Sequence, residues 1–369
     1  KHINRMQKEK TILVLDAGGT NLVFKAVVNG HIYHQSITLP AQSGNIKELL
    51  QKIIRGFKKL NESLTNKAIA ISFCFPGPAD YVNGIIGDLE NLPLFRGGVA
   101  LKNMLENEFH IPVFINNDGD LFTLGEAIGG FLPEVNKRLA TAGVQKRYQN
   151  LLGITLGTGF GGGIVNNGQL LTGDNSAGAE INRMVNPFDW HTSIEEVLTI
   201  RGIKKLFAEE AKITFDESPE PLEIYNIVLG KMHGNRKAAV SAWEKFGNVL
   251  ADAIANANSL IDGVTVIGGG LSGAFPLFLP KTVEMLNRSF TRTDGGQFPR
   301  MEVSAYSFEN DKDVKQFLDF NQEMISVPFS SEKVPYCAEK KTLIGISRLG
   351  TSEAVALGAY ALAVIEMGK

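Results

Sequence analysis

The sequence predicts an α/β protein built from two similar halves, in which mixed β-sheets are covered by helices. Two segments about 140 residues apart share the order strand, glycine-rich turn, strand and hairpin, which indicates duplication of one unit. Around these segments, apolar runs of strand length alternate with stretches of helical periodicity, as is typical of α/β chains. The length of 369 residues corresponds to about two domains.

The first glycine-rich turn follows a strand at residues 11–16 and precedes a strand at residues 22–28, which ends at the hairpin turn Asn29-Gly30. The candidate nucleotide-binding residues of this turn are Asp16, Gly18, Gly19, Thr20 and Asn21. Glycine lets the backbone approach an anion closely, and a carboxylate at a strand end suits Mg²⁺ and its waters. The turn predicts a nucleotide-phosphate site with Asp16 near the magnesium. A tight turn with a local hydrogen bond to Asp16 is the alternative.

The second segment repeats the pattern, with a strand at 151–156, the turn Gly157-Thr158-Gly159, a strand at 160–165 and the hairpin turn Asn167-Gly168. This repetition favours phosphate binding at both turns. Gly157, Gly159 and Gly162 also satisfy G-x-G-x-x-G, but a dinucleotide site requires a helix after the glycines. The residues that follow alternate like a hairpin, which weakens that interpretation.

A further G-x-G-x-x-G match, at Gly268, Gly270 and Gly273, follows a strand at 264–267 and precedes a helical stretch. It lacks a clear βαβ context, although Asp294 lies about 20 residues further along. We therefore assign the turn Gly268-Gly269-Gly270 to contact with an adenosine. A nicotinamide-dependent oxidoreductase is the alternative that this motif leaves open.

Further strands are predicted at residues 68–75 and 113–115. Helices are predicted at residues 45–64, 99–109, 119–131, 193–210, 238–260 and 352–366. Residues 291–341 are polar, rich in phenylalanine and irregular, so we expect an insertion there. The first domain is expected to comprise residues 1–118 with the returning C-terminal helix 352–369, and the second to comprise residues 119–351.

Asn116-Asn117-Asp118 ends one predicted strand and begins a helix. A polar cluster at this position most often caps the helix, and that interpretation applies to Asp118. A carboxylate at the carboxyl end of a strand is also well placed to accept a proton from a substrate hydroxyl. Both interpretations remain open at this point. His110, His191 and His233 are isolated from other candidate ligands, which favours structural or exposed positions.

Composition and charge exclude several classes of protein. The 37 Lys and Arg nearly balance the 39 Asp and Glu, so the basic surface that a nucleic-acid partner needs is absent. Apolar runs are shorter than the roughly 18 to 20 residues of a membrane span, and we expect no membrane partner. The two cysteines, far apart in sequence, and a polar N-terminal stretch favour a reduced, cytoplasmic protein.

Together these motifs resemble the ROK family of sugar kinases, in the actin, hexokinase and heat-shock-chaperone ATPase superfamily. The resemblance covers most of the chain and implies two RNase H-like (actin-like ATPase) lobes with an interlobe cleft, ATP and Mg²⁺ as cofactors, a small-molecule sugar as substrate, and a homodimer. The turn at Asp16 resembles the family's first phosphate motif, and residues 156–163 resemble its second. The final segment, 346–362, is similar to the family's last helix.

The same resemblance implies roles on the sugar side. Residues 71–78, with Gly77, and the following Asn91 are similar to the family's sugar loop. By the same comparison, Asp118 is the catalytic base and Asn117 holds a sugar hydroxyl. Three further positions are implied to bind the sugar, namely Glu180, Arg183, which stands where the family has a histidine, and Glu195, which Thr199 follows as in the family's Glu-x-x-x-Ser.

In the resembling family that histidine also ligates zinc, together with a cysteine motif. This chain has Arg183 at the histidine position and no cysteine between residues 188 and 202. All the zinc ligands are therefore missing together, and we expect no zinc, with packing around Trp190 or His191 in its place.

The sequence thus predicts an ATP-dependent kinase that phosphorylates the primary (C6) hydroxyl of a hexose or N-acetylhexosamine, as a glucokinase does. A non-catalytic sugar-binding regulatory or scaffold protein of the same fold is the alternative from another class. Family repressors carry a helix-turn-helix domain before the first phosphate motif, and only about ten residues precede Thr11 here. We therefore expect an enzyme and not a DNA-binding repressor.

Overall fold

The computed structural model describes residues 10–17, 21–77, 79–87 and 93–369. Its contacts divide the chain into two compact units, and each unit is described by itself. As far as they are described, the first unit comprises Lys1–Gly130, Gly163–Ala179 and Leu349–Lys369, and the second comprises Phe131–Gly162 and Glu180–Arg348.

The strands fall into two large sheets and several short hairpins. They are β1 (Thr11–Ala17), β2 (Asn21–Val28), β3 (His31–Ile32), β4 (Ile37–Pro40), β5 (Ala70–Cys74), β6 (Ile85–Ile86), β7 (Val99–Ala100), β8 (Val113–Asn116), β9 (Leu151–Leu156), β10 (Phe160–Asn166), β11 (Gln169–Leu170), β12 (Val185–Asn186), β13 (Asp189–Ser193), β14 (Val264–Gly268), β15 (Ser289–Thr291), β16 (Gln297–Pro299), β17 (Ser304–Ser307), β18 (Glu323–Ser326), β19 (Lys333–Tyr336) and β20 (Lys341–Ile346).

The helices of the described residues are α1 (Ile46–Ser63), α2 (Leu101–Phe109), α3 (Asp118–Gly129), α4 (Phe131–Thr141), α5 (Ile200–Ala211), α6 (Pro221–Val228), α7 (Arg236–Ile261), α8 (Phe275–Leu286), α9 (Asp311–Leu318) and α10 (Thr351–Met367). All six helices expected from periodicity are present, although the one expected at 193–210 is split into a 3-10 turn and α5. Within the described ranges, no helix combines the length and the apolar character of a bilayer span.

The two large sheets have matching strand orders. The first is β3-β2-β1-β5-β8, with β4 also paired to β2, and the second is β11-β10-β9-β14-β20-β17. In the first, β1 and β2 are antiparallel, whereas β1, β5 and β8 run parallel. In the second, β9, β14 and β20 also run parallel. The predicted duplication of one α/β unit is therefore confirmed by strand order.

Both of the repeated hairpins turn at an Asn-Gly dipeptide. Asn29 and Gly30 have φ of 50° and 83°, and Asn167 and Gly168 have φ of 49° and 76°. Positive φ at both central residues matches the right-handed twist of paired strands, and Asn-Gly adopts it with little strain. The sequence prediction of both hairpins is confirmed.

The core of the first unit lies between its sheet and α1. Ile53, Phe57 and Leu60 of α1 are buried three or four residues apart, which places them on one helix face. Phe57 packs edge-on against Phe24 of β2, with ring centroids 5.0 Å apart. Gly56 allows this approach, because a Cβ there would lie 2.2 Å from the Phe24 ring.

Helices α3 and α10 cross closely within the first unit. A Cβ on Gly125 of α3 would lie 1.9 Å from the Ala354 carbonyl oxygen, and one on Gly358 of α10 would lie 1.8 Å from that of Leu121. Only glycine permits such a backbone contact. This packing explains why contacts group α3 with the first unit, whereas the sequence analysis began the second domain at residue 119. The predicted domain assignment as a whole stays a prediction.

Residues 291–341 are more regular than expected. They contain strand β17 of the second sheet, helix α9, and the short hairpin β18–β19. The expectation of an irregular segment was wrong because strands of four residues are too short for a period to be recognised. Lys341 is 5 % exposed and donates to the carbonyl oxygen of Gln316 at 2.8 Å, which ties the end of α9 to β20.

Candidate functional site

Asp16 is the second-last residue of β1 and is half-buried. The Ser352 hydroxyl, at the start of α10, donates to Asp16 Oδ2 at 2.7 Å, and Lys25 Nζ donates to Ser352 Oγ at 3.3 Å. The hydrogen bond that the structure gives Asp16 is therefore long-range in sequence, not the local turn bond considered above. Of the other first-turn residues, Asn21 begins β2 and is exposed. Gly18, Gly19 and Thr20 lie outside the described residues.

Asp118 is the first residue of α3 and is exposed, while the capping role belongs to its neighbour. Asn117 Oδ1 accepts from the Asp120 backbone N–H at 2.6 Å, and Asn117 Nδ2 donates to Asp120 Oδ2 at 3.2 Å. The interpretation of Asp118 as the helix cap is wrong, because the extended residue before the helix is Asn117. Asp118 Oδ1 accepts only from the adjacent Gly119 N–H at 3.0 Å among the described residues.

Strand order brings Asp16 and Asp118 to the same edge of the first sheet. Strands β1, β5 and β8 are parallel neighbours, so their carboxyl ends share an edge. Cys74 ends the middle strand. Its enclosed surroundings, together with the negative charges of Asp118 and Asp16, raise the pKa of its thiol to about 12. Both carboxylates therefore lie close enough to this strand end to act on the Cys74 thiol.

Gly77 follows the same strand in a bend. A Cβ there would lie 2.2 Å from the Tyr81 hydroxyl, which donates to the Phe75 carbonyl oxygen at 2.9 Å. Glycine is therefore required at residue 77 if Tyr81 is to keep its hydrogen bond to Phe75. The predicted sugar contact of Gly77 stays a prediction, and Asn91 lies outside the described residues.

In the second unit, the turn Gly157-Thr158-Gly159 joins β9 to β10. Gly157 N–H donates to the Gly159 carbonyl at 3.1 Å, and the Gly157 carbonyl accepts from Ile200 N–H at 2.9 Å. Thr199 caps α5, its hydroxyl accepting from Gly202 N–H at 3.3 Å. The turn is thereby anchored to the first turn of a helix, while Thr158 and Gly159 remain exposed.

The turn after β14 lies beside the end of β9. Leu271 N–H donates to the Leu156 carbonyl at 3.0 Å. Gly269 has φ of +91°, and a Cβ there would lie 2.3 Å from the same carbonyl oxygen. Gly268 ends β14, and Gly270 is exposed with open space around it. The two glycine turns that the sequence assigned to a nucleotide are therefore neighbours.

The dinucleotide interpretation of residues 157–162 is not supported by the local structure. Strand β10 begins at Phe160 and includes Gly162, whereas the fingerprint needs a helix there. Residues 268–273 do precede a helix, α8, after a short 3-10 turn.

Glu195 lies in a 3-10 turn just before α5 and is half-buried. Its Oε2 lies 3.5 Å from Asn182 Nδ2, and a Cβ on Gly159 would lie 3.4 Å from its Oε1. The structure therefore brings Glu195 close to the second glycine turn. Asn182 was missed by the sequence analysis because it stands where the resembling motif has a glycine, which gives no side chain to assign.

Glu180 precedes the short 3-10 turn Ile181–Arg183, and Arg183 is its last residue. The Glu180 carbonyl oxygen accepts from Arg183 N–H at 3.0 Å, and both residues are exposed. Their assigned contacts with the sugar stay predictions.

The expected packing around Trp190 or His191 is not found. Both residues lie on β13, and Trp190 is 81 % exposed. The hairpin β12–β13 is a two-stranded sheet, so no further described strand extends either of its edges. Among the residues that the structure describes, no three His, Cys, Asp or Glu side chains are grouped to hold a metal. The prediction that the chain needs no zinc stays a prediction.

The described residues include the kinds of group that bind Mg²⁺ and ATP, namely a carboxylate and exposed backbone N–H groups. Mg²⁺ usually keeps several waters and takes one or two carboxylates together with substrate phosphates, so it needs no dense ligand cluster. Asp16 offers Oδ1, for which the described residues provide no hydrogen-bond partner. The exposed turns at Gly157–Gly159 and Gly268–Gly270 offer backbone N–H groups without side chains in the way.

Comparison with known proteins gives a consistent result. The sequence model of the ROK family matches residues 12–313. A crystal structure of a glucokinase from Parabacteroides distasonis is 42% identical, with a TM-score of 0.88, and the match covers 98% of this chain and 99% of that one. This similarity confirms the expected actin-like ATPase fold.

Two curated relatives are more distant. A glucokinase from Halalkalibacterium halodurans is 29% identical over 70% of this chain and 80% of its own length. An N-acetyl-D-glucosamine kinase from Photobacterium profundum is 27% identical over 73% of this chain and 87% of its own length. Both matches extend over most of the two proteins being compared.

Proposed function

The chain belongs to the ROK family, and we propose that it is an ATP-dependent sugar kinase that phosphorylates the C6 hydroxyl of glucose. The observation that carries the proposal is that Asn117, and not Asp118, caps the start of α3. Asn117 caps the helix, so the exposed carboxylate of Asp118 is left available at the carboxyl edge of the sheet.

In this reaction Asp118 takes the proton of the sugar's primary hydroxyl as that oxygen attacks the γ-phosphorus of ATP. The bond between the γ-phosphorus and the β,γ-bridging oxygen breaks, and the products are the sugar 6-phosphate and ADP. General-base assistance contributes roughly 10²- to 10⁴-fold to such a step. Asp16 would hold Mg²⁺ through a water, and the metal would supply charge stabilisation on the transferring phosphoryl group.

The remaining groups bind the two substrates. The turns at Gly157–Gly159 and Gly268–Gly270 provide N–H donors for the phosphates and a surface against the adenosine. Asn117, Glu180, Arg183, Glu195, Gly77 and Asn91 are the residues we propose for the sugar side. Asn117 Oδ1 is used by the helix cap and one Nδ2 hydrogen is donated to Asp120, so its contribution to a sugar would come from the other amide hydrogen.

Glucose is proposed because the glucokinase of known structure is similar over 98% of this chain at 42% identity. N-acetylglucosamine is the second candidate, because named N-acetyl-D-glucosamine kinases are also among the relatives. The homodimer and the cytoplasmic location stay predictions.

The first test measures ADP release from MgATP with glucose, N-acetylglucosamine, N-acetylmannosamine, mannose, fructose and allose, with zinc content determined on the same sample. We expect release with glucose above all other sugars. Absence of ADP release with every sugar of the panel would instead favour the non-catalytic sugar-binding protein.

Asp118→Asn tests the base. Turnover should fall about 10²- to 10⁴-fold while glucose binding, measured by calorimetry, is kept. Asp174→Asn, an exposed carboxylate in the same unit, is the matched control and should retain turnover. Unchanged turnover in Asp118→Asn would remove the base assignment.

A further inference from the structure

We propose that Ser352 is a positioning residue of the kinase, which fixes the carboxylate of Asp16 through a hydrogen bond and is itself oriented by Lys25. This inference rests on the proposed function. It concerns a residue that lies 336 positions away from Asp16 in the sequence. Neither Ser352 nor Lys25 belongs to a glycine-rich turn.

The register of β1 and β2 places Asp16 and Lys25 on the same face of the sheet. Lys25 pairs with Val14, and Asp16 lies two residues beyond Val14, so its side chain points the same way. Helix α10 packs on this face, where a small pocket is lined by Val14, Asp16, Lys25 and Ser352 together with apolar residues of α10.

The hydroxyl of Ser352 joins the two charged groups. Lys25 Nζ donates to Ser352 Oγ at 3.3 Å, which leaves the hydroxyl proton to be donated to Asp16 Oδ2 at 2.7 Å. An ammonium has only donors, so it forces the hydroxyl to act as an acceptor toward Lys25. Lys25 and Asp16, both described, form no ion pair with each other within 4.0 Å. The serine therefore mediates their interaction.

The start of α10 adds a second influence on Asp16. Gly350, with φ of +79°, precedes the helix, and Ser352 is its second residue. The N-terminal end of a helix carries partial positive charge and favours a nearby carboxylate. The hydrogen bond to Oδ2 then holds one oxygen toward the helix, while Oδ1 has no hydrogen-bond partner among the residues that the structure describes. A fixed Oδ1 can hold a water of Mg²⁺ without first losing rotational freedom.

The consequence is specific to the metal-nucleotide side of the reaction. Ser352→Ala should raise the free Mg²⁺ concentration for half-maximal ADP release, and the dissociation constant of MgATP, by about threefold to tenfold. The KM for glucose should change less than twofold. Ser352→Thr keeps the hydroxyl at an exposed position and should restore both parameters. Glu353→Ala, the next residue of the same helical turn, is the matched control and should leave them unchanged.

A double-variant cycle asks whether Ser352 acts through Asp16. MgATP affinity is measured by calorimetry in the wild type, Ser352→Ala, Asp16→Asn and the combined variant. If the serine works through the carboxylate, Ser352→Ala should add nothing to Asp16→Asn. Circular dichroism melts of all variants separate loss of affinity from loss of fold.

The calorimetry needs no turnover, so it distinguishes the two proposals. Absence of ADP release with every sugar contradicts the proposed kinase function and leaves this test intact. The positioning role is overturned if Ser352→Ala binds MgATP as the wild type does, if Ser352→Thr is as impaired as Ser352→Ala, if the two single changes are additive, or if the wild type binds no MgATP.

Discussion

The two large sheets share one strand order but end their central strands in different residues. In the first, β1 carries Asp16 at its end, β5 ends in Cys74, and Asn117 and Asp118 follow β8. In the second, β9 is followed by Gly157 and β14 ends in Gly268. Among the described residues, the duplicated framework thus presents side-chain oxygens at the strand ends of the first sheet and bare backbone at those of the second. We infer that these strand ends of the first sheet serve proton and metal chemistry, beside the phosphate binding predicted for the first glycine-rich turn, whereas those of the second sheet serve phosphate binding.

The two copies also secure these strand ends differently. In the first unit, helices α3 and α10 cross in backbone contact and carry Asp118 and Ser352 at their first turns. In the second, the glycine turns are fixed by neighbouring strand ends and by the start of α5, through Leu156 and Ile200. A side chain added at the α3–α10 crossing should therefore disturb the strand ends of the first sheet. A side chain added at a glycine turn should disturb those of the second.

The largest effect is expected at the helix crossing. Gly125→Ala places a methyl group 1.9 Å from a backbone carbonyl that cannot rotate away, so the free energy of unfolding should fall by about 3 kcal/mol or more. Gly129→Ala in the same helix meets only the end of the Leu357 side chain and should cost less. Urea denaturation measures both. Equal losses would show that the crossing is not the constraint on α3.

A smaller effect is expected at the turn Gly268–Gly270. Gly269→Ala must hold a non-glycine residue at φ of +91° against the Leu156 carbonyl, at a cost of roughly 2 kcal/mol in unfolding free energy and with weaker MgATP binding. Gly270→Ala is the matched control, because its Cβ meets nothing within 4 Å. It should change stability by less than about 0.5 kcal/mol. A stable Gly269→Ala protein with full MgATP affinity would contradict the assigned importance of this turn.

The smallest effect concerns Cys74. With its pKa raised to about 12, the thiol stays protonated in the folded protein where an ordinary thiol ionises near 9. In a Cys337→Ala background, iodoacetamide at pH 9 should therefore label folded protein very slowly and urea-unfolded protein quickly. Above pH 9 the unfolded state loses the proton that the folded state keeps, so stability should fall as the pH rises. Labelling of the folded protein with a midpoint near pH 9 would contradict the enclosure of this thiol together with the influence of Asp118 and Asp16 on it.

Local patterns were enough to predict much of the fold. The Asn-Gly turns, the repeated strand–glycine–strand segments and the long amphipathic helices each depend on neighbours within a few residues. The structure contains the turns, the helices and, as far as they are described, the repeated segments. Residues 291–341 were misjudged because β17 and β18 are four residues long and offer no period. Helices α4, α6 and α9 were not predicted, since they have 8 to 11 residues and give only a short periodic signal. Helix α8 was expected only as a helical stretch after Gly273, without bounds.

The sequence by itself determined the fold class, the family and the residue types gathered at the strand ends, because these follow from short-range spacing and motif. Only the tertiary structure decided which residue caps α3 and which partners hold Asp16 and Glu195. The Asn117 cap depends on where the helix begins, to within one residue, and sequence patterns do not fix that boundary. Ser352, Lys25 and Asn182 reach their partners through packing between elements distant in sequence, and no spacing along the chain encodes such contacts.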